Sequence, residues 1–276
     1  MGWAADRTSP DFVVIHSLDP EDAAFTTALR AMVSSTKGVV PRGTEGRAQF
    51  DALMESVPPR DDVTFEAGAL GAIPGIWVYP AKGRPDEAVV HLHGGWFNFG
   101  SAKAYRHLVG HIAARAEARA FIPDYRLAPE HPFPAATDDA LACYRGLAGS
   151  GVRRIALTGD SAGGNLALVL ASRVIGEAVS TNATLVGVAV LSPVTDLTLS
   201  GATYDTRADA DPFFTRPQVA ELVRSYLGNA DARHPLASPL QSELAGMPPV
   251  RIHVGDDEVL LDDSLRYVER AVTARV

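Results

Sequence analysis

An apolar run, Arg154–Thr158, leads at once into Gly159-Asp160-Ser161-Ala162-Gly163-Gly164 and then into Asn165-Leu166-Ala167-Leu168-Val169-Leu170. A strand, a sharp glycine-flanked turn and a helix together lift a serine hydroxyl clear of the backbone. Gly159 and Gly163 suit the flanks, where a side chain would collide with the turn. The chemistry this predicts is attack of Ser161 on an acyl carbon, with the Ala162 N–H and the positive end of the helix facing the oxyanion. Such a serine works with a base and a carboxylate that orients it. Carboxylates stand at the end of a late apolar run, Val250–Val254, in Gly255-Asp256-Asp257-Glu258. The base is the difficulty: His16, His91, His93, His107, His111, His131, His234 and His253 all precede Glu258, and none follows it. His253 lies in the acid's own strand, and His234, in a proline-rich connection, is the alternative base.

The elements that must position these groups are short apolar strands alternating with helices. Strands are predicted over Val63–Ala67, Ile76–Tyr79, Ala88–Leu92, Ala120–Pro123, Arg154–Thr158, Leu185–Leu191 and Val250–Val254. Helices are predicted over Ala104–Glu117, Ala135–Ala148, Ala162–Ala178 and Gln218–Leu227, and earlier over Pro20–Ser35 and Gly46–Val57, where Pro58-Pro59 ends the run. The pattern predicts an α/β fold: a mainly parallel sheet with helices on both faces and an antiparallel edge formed by the first strands. Asp262 and Asp263 are expected to cap a last helix whose apolar positions are Leu265, Val268 and Val272. His107 and His111 share a helix face, but Leu108 stands where a zinc motif needs glutamate, so they are read as ordinary surface residues.

A second glycine-bearing segment, His93-Gly94-Gly95-Trp96-Phe97, follows the third strand, and Asp124-Tyr-Arg-Leu-Ala-Pro-Glu-His-Pro-Phe-Pro-Ala-Ala136 follows the fourth. With Gly159–Gly164, these segments resemble the hormone-sensitive-lipase family of α/β-hydrolases, its bacterial carboxylesterase branch. The resemblance runs from about Val63 to Ala271. It implies an α/β-hydrolase fold with a small helical cap, built from residues 1–60 and from about 203–247 over a core at 61–276. It implies an oxyanion hole at Gly94, Gly95, Trp96 and Ala162, with Gly95, Trp96 and Ala162 as donors and Trp96 in place of the family's third glycine. His93 becomes a structural residue holding that loop, and Asp124, Arg126 and Glu130 a network beneath the site. Glu258-Val-Leu-Leu-Asp262 matches the family's acid motif with glutamate in the acid position, so Glu258 is the first choice and Asp257 the second. Ser192-Pro-Val-Thr-Asp196 is read as structural or pocket-lining, and Phe97, Phe213 and Phe214 as substrate-pocket walls. The family's histidine follows the acid after one more strand, and the expectation is an omitted C-terminal segment that carries this strand, a helix and the base.

The activity implied is serine carboxylesterase chemistry on short to medium acyl or aryl esters, through an acyl-enzyme and without metal or organic cofactor. The alternatives are a lactonase or amidase of the same fold, or an inactive ligand-binding member that lacks the base. A net charge of −8 with no basic cluster argues against nucleic acid as a partner. A single cysteine, Cys143, excludes an intrachain disulfide. Met1–Pro10 has no apolar leader core and no run is long enough to span a bilayer, so the expected partner is a small-molecule ester, the expected location cytoplasmic, and a homodimer is left open.

Overall fold

Seven apolar runs pair into one sheet. The computed structural model describes residues 13–34, 37, 43–177 and 182–276. In chain order the elements are α1 (Pro20–Ser34), α2 (Arg47–Glu55), β1 (Val63–Leu70), β2 (Ile73–Pro80), β3 (Glu87–Leu92), α3 (Ala102–Ala116), β4 (Arg119–Pro123) and α4 (Ala135–Ala148). There follow β5 (Arg154–Asp160), α5 (Ala162–Gly176), β6 (Thr184–Leu191), a single turn α6 (Thr203–Thr206), α7 (Arg216–Leu227), β7 (Val250–His253) and α8 (Leu261–Thr273). The predicted ends Ser35 and Ala178, and the segment Met1–Pro10, lie outside the described residues.

The strands lie in the order β1-β2-β4-β3-β5-β6-β7. β1 pairs antiparallel with β2, and β2 antiparallel with β4; every pairing from β4 to β7 is parallel. Strand periodicity divides the interior into two layers. On β3, Ala88, Val90 and Leu92 face a large core with α4 and α5, whereas Val89 faces a smaller one with Tyr105, Val109 and Ala113 of α3. On β4, Phe121 joins the first layer, and Ala120 and Ile122 the second. Because both faces are covered, the central strands read as continuous apolar runs.

The helix predicted over Gly46–Val57 narrows to Arg47–Glu55: the Ser56 N–H turns back to the Leu53 carbonyl, and the prolines that follow cannot continue the ladder. Helix α8 corrects another expectation. Its buried face is Asp263, Ser264, Tyr267 and Ala271, while Leu265, Val268 and Val272 are only half-buried. A buried carboxylate at its first turn, bonded to the neighbouring loop, turns the helix away from the stripe that hydropathy alone selects.

Parallel strands open their loops at the same end, and this end is where the chemistry-bearing residues gather. Leu92 pairs with Gly159, and Leu191 with both Asp160 and His253. Leu157 is fully buried on β5 between β3 and β6. Leu157→Ala is expected to lower the unfolding free energy by about 3 kcal/mol, read as a lower urea midpoint at unchanged slope.

Candidate active site

Ser161 stands between β5 and α5 with φ 52° and ψ −118°, a conformation that L-residues avoid at a cost of about 1–3 kcal/mol. Hydrogen bonds to neighbouring loops hold it there. The Ser161 N–H donates to Leu191 O at 2.8 Å, and its carbonyl accepts from Asn165 N and Val194 N, both at 3.1 Å. Gly163 is required by close approach, since a Cβ there would sit 1.9 Å from the Leu92 carbonyl oxygen. The start of α5 therefore presses directly on the end of β3, where the second glycine segment begins.

That segment has its carbonyls engaged, while the amides of Gly95 and Trp96 are free. Gly94 O accepts from His93 Nδ1 at 2.9 Å, and Gly95 O from the N–H groups of Asn98 and Phe99, each at 2.9 Å. Trp96 O accepts from Asn98 Nδ2 at 2.6 Å, Phe97 O from Ala128 N at 2.9 Å, and Asn98 O from Arg47 Nε at 2.8 Å. Among the described residues no acceptor pairs with the N–H of Gly95, Trp96 or Ala162. A loop whose carbonyls are all occupied, beside a helix N-terminus with unspent amides, offers only positive partial charge to a ligand.

Gly94 is different. Its N–H donates to Asp160 Oδ1 at 3.0 Å and lies 3.2 Å from the Tyr105 hydroxyl, which itself donates to Asp160 Oδ2 at 3.0 Å. This corrects the expectation of Gly94 in the oxyanion hole: its amide anchors the loop to the residue before Ser161. Trp96 has φ 49° and Phe97 φ 63°, so both take the left-handed conformation despite their side chains. The Trp96 indole is buried, with the Phe214 ring edge-on at 5.6 Å. Phe97, expected to wall the pocket, is instead a core residue, fully buried and stacked on Tyr226 at 3.8 Å. Phe213 is exposed beside Phe214.

Glu258 follows β7. Its Oε1 accepts from the Ser192 hydroxyl at 2.8 Å and from Gly255 N at 2.7 Å, whereas Oε2 takes no hydrogen bond from the described residues and is not sealed from solvent. Burial pushes this carboxyl above the usual glutamate range, and the two donors pull it partly back. Asp257, the second choice for the acid, is paired with Arg30 of α1 at 2.7 Å. The histidines serve other ends. His93 is fully buried and burial lowers it to about 4, so it is neutral and donates from Nδ1 to the loop, as expected of a structural residue. His91 Nδ1 meets Thr158 Oγ1 at 2.9 Å, His111 Nε2 meets Pro58 O at 2.9 Å, and His234 Nδ1 accepts from Leu236 N at 3.1 Å. His107 lies edge-on to Phe65, 5.8 Å away.

The profile described as alpha/beta hydrolase fold matches residues 89–276. A structure titled as an esterase from the bacterial hormone-sensitive lipase family superposes with a TM-score of 0.85 at 34% identity, covering 95% of this chain and 86% of that one. The chain belongs to the α/β-hydrolase family, in its hormone-sensitive-lipase branch. An acetyl-hydrolase of Streptomyces hygroscopicus is 38% identical over 236 residues, 83% of this chain and 76% of that protein. An esterase of Acinetobacter venetianus is 32% identical over 233 residues, with the same coverage of each. The chain is a serine esterase, a carboxylic ester hydrolase. Among the described residues no helix is long and apolar enough to cross a membrane.

Several residues of the esterase's site gave no distinct signal in the sequence. Asp211 is buried; its Oδ1 accepts from the N–H groups of Phe213 at 2.7 Å and Phe214 at 3.0 Å, and its Oδ2 from Val259 N at 2.9 Å. It thus ties the two phenylalanines to the loop that carries Glu258. Ser192 anchors Glu258 rather than merely lining a pocket. Asp124 accepts from Ala102 N, Arg126 forks onto Asp139 at 2.7 Å, and Glu130 pairs with Arg47 at 2.7 Å, all of them connections between backbone segments. An aspartate in a turn segment, as Asp211 is, was the one available hint, because such side chains commonly cap backbone amides.

Asp263 gives the esterase a pH-dependent stability. Its Oδ2 accepts from Thr195 N at 2.6 Å and Asp196 N at 2.9 Å, its Oδ1 is buried without a partner, and burial raises the group from 3.8 to about 7. A carboxyl whose folded value is raised binds its proton more tightly when folded. Its contribution is fully present below about pH 4 and is lost as pH rises through about 7. Asp263→Asn, which keeps an acceptor for both amides, is expected to remove up to about 4 kcal/mol of decline across that window, read from urea midpoints of both proteins between pH 4 and 8.

Proposed function

We propose that Ser161 is the nucleophile, Glu258 the acid, and the N–H groups of Gly95, Trp96 and Ala162 the oxyanion hole of a two-step acyl transfer. The observation that carries this reading is the set of three unspent amides beside a serine held at φ 52°. In this reading an imidazole from outside the residues described, such as the free imidazole of the test below, accepts the serine proton as Oγ bonds to the ester carbonyl carbon. The carbonyl oxygen becomes the oxyanion, and three converging amides stabilise it more than they stabilise the neutral ester. Collapse expels the alcohol with the proton held by the imidazolium. Water, deprotonated by the same imidazole, then releases the acid. Glu258 orients that imidazole and stabilises its charged form.

The substrates proposed are short acyl esters. The Trp96–Phe214 pair supports a narrow site, and the similar Streptomyces protein is named for acetyl hydrolysis. Residues 1–60 and about 203–247 form the cap. In support of this, Arg30 of α1 reaches both Asp257 and the Ala210 carbonyl, joining the N-terminal segment to the acid loop.

The test is hydrolysis of p-nitrophenyl acetate and longer p-nitrophenyl esters by the 276-residue chain, with and without free imidazole, against Ser161→Ala and Glu258→Gln. Imidazole-dependent turnover that Ser161→Ala abolishes, that prefers acetate, and that Glu258→Gln lowers is the expected result, because without a base the serine alone adds little. Rates equal to those of Ser161→Ala in both conditions would overturn the proposal. A preference for long chains would overturn the substrate assignment alone.

A further inference from the structure

We infer that Arg47 of α2 is a positioning residue for the oxyanion hole: acting through Asn98, it holds the left-handed Trp96–Phe97 turn that presents the Trp96 N–H. The inference rests on the esterase reading above.

A turn with φ 49° at a tryptophan and 63° at a phenylalanine is not self-supporting. Left-handed backbone costs a residue with a Cβ roughly 1–2 kcal/mol, so the surroundings must over-determine it. The Gly95 carbonyl is held locally, by the amides of Asn98 and Phe99. The remaining restraints converge from other elements. Asn98 Nδ2 donates to Trp96 O at 2.6 Å and to Leu222 O at 3.3 Å, while Asn98 Oδ1 accepts from the Ser225 hydroxyl at 2.8 Å. Asn98 thereby ties the turn to α7. Its own backbone is in turn held by Arg47, whose Nε donates to Asn98 O at 2.8 Å.

Arg47 is itself fixed on three sides. Nη2 donates to Ala128 O at 2.9 Å, and the fork closes on Glu130 at 2.8 and 2.7 Å. Ala128 is also the residue whose N–H holds Phe97 O. One guanidinium therefore clamps both backbone segments that carry the turn, with charge-assisted bonds to two carbonyls that have no other described donor. The competing reading is an ordinary surface pair with Glu130, whose side chains are 28% and 47% exposed and whose worth would be small. That reading leaves the two carbonyl bonds unexplained. Nor is Arg47 an isolated contact of α2: Phe50 packs on Phe99 at 5.9 Å, and Asp51 accepts from the Ser101 hydroxyl at 2.8 Å. One face of the helix grips the loop from Asn98 to Ser101.

A clamp on a strained turn should lose its value when the strain is removed. Arg47→Met is expected to lower kcat for p-nitrophenyl acetate by about 10- to 100-fold, a fraction of the cost of deleting an oxyanion donor, with KM changed by less than about 2-fold. In a Trp96→Gly background, where the turn is relaxed, the same substitution is expected to cost less than about 3-fold. Arg47→Lys, with one ammonium for two carbonyls, is expected to recover only part of the loss. Equal losses in both backgrounds, full rescue by lysine, or a change confined to KM would overturn the inference. If the parent shows no turnover with or without imidazole, the esterase reading fails separately, and amide exchange over residues 94–100 decides the clamp. Exchange at least about 10-fold faster in Arg47→Met, at unchanged global stability, would support it; unchanged exchange would overturn it.

Discussion

The hydrogen bond from Gly94 N to Asp160 Oδ1 is the constraint on which the site depends. Parallel pairing of β3 with β5 brings Leu92 opposite Gly159, so both glycine-rich turns leave the sheet at one end, side by side. The carboxylate immediately before the serine then captures the first amide of the neighbouring loop. Tyr105 of α3 secures the other carboxylate oxygen, which ties the pair to the smaller core. Without this link the loop and the turn would be independent segments, each held only by the stiffness of its strand end. Gly94 has to be glycine for the same reason: a Cβ there would lie 2.1 Å from the other oxygen of Asp160.

The opposite wall of the site is organised around two buried carboxylates, Asp263 and Asp211. Asp263 gathers the Thr195 and Asp196 amides, which sets the course of the loop that begins at Ser192. Asp211 gathers the amides of Phe213, Phe214 and Val259. Between them Glu258 is held through one oxygen, so the other is left for an external donor. A buried carboxylate is unfavourable unless several donors converge on it. Here the convergence also fixes loops that have no regular structure of their own.

Charge pairing distinguishes the two adjacent carboxylates. Asp257 and Glu258 are neighbours in sequence, but Arg30 engages the first and leaves the second facing Ser192. The same logic recurs where Arg47 meets Glu130, joining segments far apart in the chain, and where Arg126 meets Asp139 across a shorter span. Arginine suits these positions because its planar fork can hold a carboxylate and backbone carbonyls at once.

The sequence by itself determined the strand–helix alternation, the seven strands, and the place of Ser161. Each of these rests on local patterning: continuous apolar runs, glycines flanking one serine, and prolines that end helices. It also marked Trp96 as the residue out of pattern, and pointed to Glu258 ahead of Asp257 through a short motif match. Only the tertiary structure decided that the Gly94 amide is spent on Asp160, that Phe97 is buried beneath Tyr226, and that α8 turns a face with Asp263 inward. Arg47 and Ser192 likewise became meaningful only once folded, because their partners lie tens of residues away in the chain, and so did the bond by which Asp211 reaches Val259. Local periodicity reports which face of an element is buried. It carries no record of which distant amide or carbonyl a polar side chain will meet, since that is settled by the packing of whole elements.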